Sequence, residues 1–167
     1  MKKIILGLSI LLLFACKNEE SIIKVGLASA GCHSECPHIA IELNQDLKLK
    51  YYGGLFAKKQ GFYTGNISQG YWSNLSHMLL KSNLSTLHNE NYNDYGDRII
   101  EIYIKTSSKT HRINGQMSGF PAKFQQVVKV ILEAETKFNL TRVTDSLHFE
   151  TKSQYIPADV PKFPPGS

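Results

Sequence analysis

An α+β fold, an antiparallel sheet of about five to six strands with two helices packed on one face, follows from three features of the sequence. Apolar and polar residues alternate through Ile39–Leu43, Leu47–Tyr51 and Ile100–Ile104. Two other stretches, around Trp72–Leu79 and Phe124–Ile131, repeat their apolar residues every three or four positions instead. No repeat or internal linker separates these stretches.

A first strand is predicted over Ile22–Ala28, with Ile23, Val25 and Leu27 on one face. His38–Leu43 and Leu47–Tyr51 flank Asn44-Gln45-Asp46, which has turn character, and so predict a β-hairpin. Gly53-Gly54 ends it, and Gly61-Phe62-Tyr63-Thr64-Gly65 predicts a further strand. Ser68 suits the N-cap of a helix whose stripe is Trp72, Leu75, Leu79 and Ser82. Asn83–Gly96, rich in Asn, reads as a loop, and Arg98–Lys105 as a strand that turns at Ser107-Ser108 into a partner near Thr110–Ile113. Pro121 suits the first turn of a second helix, which places Phe124, Val127, Val128, Ile131 and Phe138 toward the core. One more short strand is expected near Leu147–Phe149, before a tail containing Pro157, Pro161, Pro164 and Pro165.

The N-terminus predicts an exported protein. Lys2 and Lys3 precede an apolar run from Ile4 to Phe14, and Ala15 is the small residue before a cleavage point. A permanent membrane-spanning helix needs about 20 apolar residues, more than this run supplies. Leu13-Phe14-Ala15-Cys16 is similar to the lipobox of bacterial lipoproteins, with Cys16 as the lipid-bearing residue. Two or three acyl chains on that thiol and its amine suffice for stable anchoring. The expected organisation is therefore a signal peptide at 1–15, a polar tether at 16–21, an α+β domain at 22–140 and a Pro-containing tail at 141–167. The expected location is the cell envelope, with the outer membrane as the anchoring bilayer. Cleavage removes Lys2 and Lys3 from the 19 Lys and Arg, so 17 stand against 14 Asp and Glu, a formal +3. That balance, with no basic cluster interleaved with aromatics, argues against nucleic acid as a partner.

Two of the three cysteines lie in Cys32-His33-Ser34-Glu35-Cys36-Pro37-His38. Outside the cytoplasm a close pair defaults to a disulfide. Bridged cysteines have Cα atoms about 4.4–6.8 Å apart, whereas four extended steps span about 13 Å, so a Cys32–Cys36 bridge requires a sharp turn. Two other readings stay open. One is a redox-active pair, although active dithiols usually show C-x-x-C at a helix start. The other is a zinc site made by Cys32, Cys36 and one or both of His33 and His38, which an oxidised pair could not form.

The order of motifs resembles a domain family of unknown function found in Bacteroidota lipoproteins, which carries a C-x-G-x-C-P signature. The residues that carry the likeness are Cys32-x-x-x-Cys36-Pro37, Tyr52-Gly53, Gly61-x-x-x-Gly65-x-Ile67-Ser68 ahead of a helix, Asp97 before the Ile-rich strand, and Pro121 before the last helix. The likeness spans roughly residues 22–138. Ser34 stands where the signature has glycine, and Asn44-Gln45-Asp46 replaces an Asp-Gly hairpin turn. The resemblance implies a small envelope domain and brings no activity, substrate or catalytic residue.

Motifs for chemistry are sparse. Gly65-Asn66-Ile67-Ser68-Gln69-Gly70 has one residue too many for G-x-S-x-G, and no H-E-x-x-H occurs among the six histidines. Glu42 and Glu101 fall on the polar faces of predicted strands and are expected to be solvated. No cofactor or metal is expected. Among the aromatics, Tyr52, Tyr63 and Trp72 are the candidates for an exposed ligand-binding platform. The leading expectation is a non-catalytic envelope domain that binds a protein, peptide or glycan partner while the acylated Cys16 sits in a lipid bilayer. The alternative is an enzyme: a thiol–disulfide catalyst using Cys32 and Cys36, or a hydrolase whose site forms only in three dimensions from groups such as Glu42, Glu101, His111 or Asp97.

Overall fold

The structure, a computed structural model, describes residues 20–29, 36–87, 89 and 97–153. The expectations for the leader, for Cys16, Cys32 and His33, for most of the Asn-rich loop and for the Pro-containing end fall outside them. The described residues form seven strands: β1 (Ile22–Ser29), β2 (Ile39–Asn44), β3 (Lys48–Gly53), β4 (Gly61–Asn66), β5 (Ile99–Thr106), β6 (Thr110–Gln116) and β7 (Leu140–Val143). They form one sheet in the order β6-β5-β1-β2-β3-β4-β7, antiparallel at every pairing. Helices α1 (Gln69–Lys81) and α2 (Ala122–Lys137) cover one face. The fold is the α+β class expected, with seven strands rather than five to six.

The alternation decides which face is buried by the helices. Val25 and Leu27, Ile41 and Leu43, Leu49 and Tyr51, and Ile100, Ile102 and Ile104 line the inner face and are at most 1% exposed. From the other side come Tyr71, Trp72, Leu75 and Leu79 of α1 and Phe124, Val127, Val128, Ile131 and Ala134 of α2. Complete burial of a large aliphatic or aromatic side chain stabilises by about 1.5–3 kcal/mol, so this layer is the main source of stability. The two helices are joined by the Tyr71 hydroxyl, which donates to the Val130 carbonyl.

Local chemistry sets the element ends. Ser68 caps α1, its Oγ accepting from the Tyr71 N–H at 3.2 Å. Pro121 stands one place before α2 and its carbonyl accepts from Phe124 and Gln125. In the β2–β3 turn, Asn44 Oδ1 accepts from the N–H groups of Asp46 and Lys48, both at 3.1 Å. Leu47 completes that turn with φ 62°. Two motif glycines are required by close backbone approach. A Cβ on Gly53 would lie 1.8 Å from the Lys59 carbonyl oxygen, and one on Gly65 would lie 2.6 Å from that of Asn139.

Three expectations need correction. Ile23 was expected inward, but the β1–β5 register shifts between Ile22 and Lys24. This β-bulge buries Ile22 and leaves Ile23 half-buried. The last strand is not near Leu147–Phe149. It is β7, whose Leu140–Val143 pairs with β4 from Gly65 to Phe62, so residues 141–143 belong to the sheet and raise its strand count. Leu-Thr-Arg-Val has no alternating pattern because an edge strand this short buries little of either face. Finally, Glu20 and Ser21, read as the end of the tether, are held by the β5–β6 turn. Glu20 Oε1 accepts from Ser108 Oγ at 2.7 Å and Thr106 Oγ1 at 2.9 Å, and Ser21 exchanges bonds with Ser107.

Candidate functional site

The outer sheet face, on which no helix of the described residues lies, is crossed by residues 144–153. The floor of this crossing is made of small side chains. Phe149, 3% exposed, packs on Ala28 and Ala40, and Leu147 packs with Tyr52 and Phe62 beside it. Thr151 Cγ2 would touch a Cβ built on Gly26, at 3.4 Å. Small residues at these positions on β1 and β2 are what let an irregular segment lie so close to the sheet.

Two carboxylates grip the backbone of this strap. Glu42 Oε2 accepts from the Glu150 N–H at 3.3 Å. Glu101 Oε2 accepts from the N–H of Lys152 at 2.9 Å and of Ser153 at 2.8 Å, and from the Ser153 hydroxyl. Basic side chains complete the network. Lys50 Nζ donates to Glu42 at 2.9 Å and to the His148 carbonyl, and Lys24 bridges Glu42 and Glu150. Arg112 reaches Glu101, Glu150 and the Glu150 carbonyl, with its guanidinium 4.8 Å from the Tyr103 ring centre. Burial of Lys24 works to lower its pKa, and the charges of Glu42 and then Glu150 outweigh it, leaving the ammonium above its ordinary value. The expectation that Glu42 and Glu101 are solvated is therefore corrected. They are 3% and 8% exposed because the strap covers them.

The groups named for a hydrolytic pocket do not converge. Glu42 and Glu101 face the strap, whereas His111, cross-strand from Ile104, faces the helix side. Asp97 lies at the entrance to β5, where its Oδ1 accepts from the Arg98 N–H at 2.7 Å and its Oδ2 from the Ser118 N–H at 2.6 Å. Partial burial works to raise the Asp97 pKa, but the Ser118 and Arg98 hydrogen bonds and the Arg98 charge hold it below its ordinary value. Asp97 is therefore a turn-forming residue. Among the described residues no group of three or more His, Cys, Asp and Glu is placed to hold a metal ion.

The aromatic candidates do not form one platform. Tyr52 is on the outer face, tilted against Phe62 at 4.9 Å. Tyr63 is on the helix face, edge-on to Tyr51 at 5.9 Å, with its hydroxyl donating to the Gln60 carbonyl. Trp72 is corrected outright: it is 6% exposed within the core, because the α1 stripe that contains it faces the sheet.

A different exposed pair emerges at the end of the sheet where β1 finishes and β2 begins. The loop from Gly54 to Gln60 presents Leu55, 57% exposed, and Phe56, 50% exposed. Phe56 has φ 60°, an unfavourable conformation for a bulky L-residue. The loop is pinned on both sides of the pair. His38 N donates to the Leu55 carbonyl at 2.9 Å and Gly54 N to the His38 carbonyl at 2.8 Å. Ala57 is buried in the core, and Lys59 Nζ donates to the Glu135 carbonyl in the last turn of α2 at 2.8 Å. Two residues before His38, Cys36 is disulfide-bonded, its partner lying outside the described residues. From sequence, Phe56 belongs with the aromatic residues expected mostly in the core, and Leu55 carries no signal of its own; the doubled glycine Gly53-Gly54 ahead of them was the available signal. Among the described residues no helix is long and apolar enough to cross a membrane.

Comparison with protein-family models matches residues 23–135 to a domain of unknown function. No curated protein matches the chain.

Proposed function

The chain belongs to the DUF6438 family, a domain of unknown function, and on that premise we propose that it is a non-catalytic binding module of the cell envelope, held to a membrane by lipid on Cys16. One observation carries the binding role: Leu55 and Phe56 project from a loop held at Gly54, Leu55, Ala57 and Lys59. Exposed apolar side chains on a rigid, locally strained support suit contact with a partner, since little conformational freedom is lost on binding. The acidic groups that would otherwise invite a catalytic reading are engaged by the strap. Anchoring is supported by the Leu13-Phe14-Ala15-Cys16 run behind an apolar leader. A disulfide at Cys36 fits an oxidising compartment.

The binding role is tested by placing a photo-crosslinking side chain at Phe56 or at Lys109 in intact cells. A discrete crosslinked product at Phe56 and none at Lys109 is expected. The same products at both positions, or none at Phe56, contradict the assignment of the loop.

A further inference from the structure

The two ends of the sheet differ in a way that fixes how an anchored molecule would stand. The Ile22 end of β1 lies beside the β2–β3 turn and the β5–β6 turn, whereas the Ser29 end lies beside the Leu55–Phe56 loop. Seven steps of β1, each about 3.3 Å, put these ends about 23 Å apart. Glu20 is fastened at the Ile22 end by Ser108 Oγ at 2.7 Å and Thr106 Oγ1 at 2.9 Å. Ser21 is fastened there as well, its N–H donating to Ser107 Oγ at 3.2 Å and its carbonyl accepting from the Ser107 N–H at 2.9 Å. Only Lys17, Asn18 and Glu19 separate Cys16 from that clamp. Four chain steps reach at most about 14 Å.

We propose that the domain seats its Ile22 end directly on the bilayer, with the β5–β6 turn toward the headgroups and the Leu55–Phe56 loop facing away from the membrane. This rests on Cys16 carrying the lipid. The clamp shortens the connection so that the anchored end cannot leave the surface by more than the reach of those few residues. Lys105 and Lys109, exposed at this turn, and Lys48, exposed at the β2–β3 turn, outnumber Glu20 and Asp46 at this end, a balance that suits anionic headgroups. The opposite end, with its apolar pair, is thereby presented to partners in the aqueous space.

The test uses the mature lipidated protein, residues 16–167, in vesicles of phosphatidylethanolamine and phosphatidylglycerol that contain a nitroxide-headgroup lipid. A dye is attached through Lys109→Cys or Lys58→Cys; Lys58 is exposed in the Leu55–Phe56 loop. Quenching severalfold stronger from position 109 than from position 58 is expected, and E20A/S107A/S108A, which removes every side-chain bond of the clamp, should narrow that contrast. Equal quenching at both positions while the protein remains on the vesicles overturns the orientation alone. A contrast unchanged in E20A/S107A/S108A overturns the role of the clamp. Wild-type protein that does not stay with the vesicles overturns the anchoring, and this seating with it.

Discussion

Asp97 shows how a single side chain can define an entry into a strand. Its two oxygens tie Arg98 and Ser118 together, so the start of β5 and the short turn after β6 share one carboxylate. Because those bonds favour the charged form, its folded pKa lies below the ordinary 3.8. The stability it contributes is complete above that value and is lost as pH falls through the lower folded one. Asp97→Asn should therefore lower the urea midpoint at neutral pH and approach wild type in strong acid, which a series of urea melts against pH will show. Gly53 makes the second case at this scale. A Cβ there would enter the Lys59 carbonyl, so Gly53→Ala should cost at least about 1–3 kcal/mol, read by chemical denaturation, and should displace the Leu55–Phe56 loop.

Among the elements, those that bury one face in a regular period were legible in the residues. Ser68 announced α1 by its capping chemistry, and Ile39–Leu43 with Leu47–Tyr51 announced the hairpin by alternation. The strap was not legible, and neither was β7. Leu147 and Phe149, two residues apart, look like one face of a strand, yet they sit on a segment running across the strands. Periodicity reports which face of an element is apolar; it is silent on whether a polar face is itself covered, which is why Glu42 and Glu101 were expected in water. The small outer-face residues Gly26, Ala28 and Ala40 were the trace of that cover. If the strap is held as described, Phe149→Ala should cost about 1.5–3 kcal/mol. Glu101→Ala should cost about 1–3 kcal/mol, by leaving the Lys152 and Ser153 N–H groups without their acceptor. Both variants should speed tryptic cleavage after Lys152, whereas cleavage at a rate equal to wild type would show that the strap is not held by these contacts.

At the scale of the molecule, the fold separates its two ends. Among the described residues, helices cover one face of the sheet, the strap crosses the other, and Leu55 and Phe56 are exposed at one end. The residues named from sequence for ligand contact divided between the outer face and the core, because an aromatic's identity does not say which side of its element it occupies. The pair that is presented, Leu55 and Phe56, depends on a positive φ and on bonds to residues distant in sequence, neither of which has a periodic signature. The anchor proposed at Cys16 is read from the sequence, and every statement about orientation follows from that proposal. The most direct measurement is the intact mass of the protein isolated from cell membranes, together with that of its N-terminal peptide. A chain that begins at Cys16 and carries a diacylglycerol thioether is expected, with the modification abolished in Cys16→Ala. A chain that retains residues 1–15, or one whose Cys16 carries no lipid, would contradict the account.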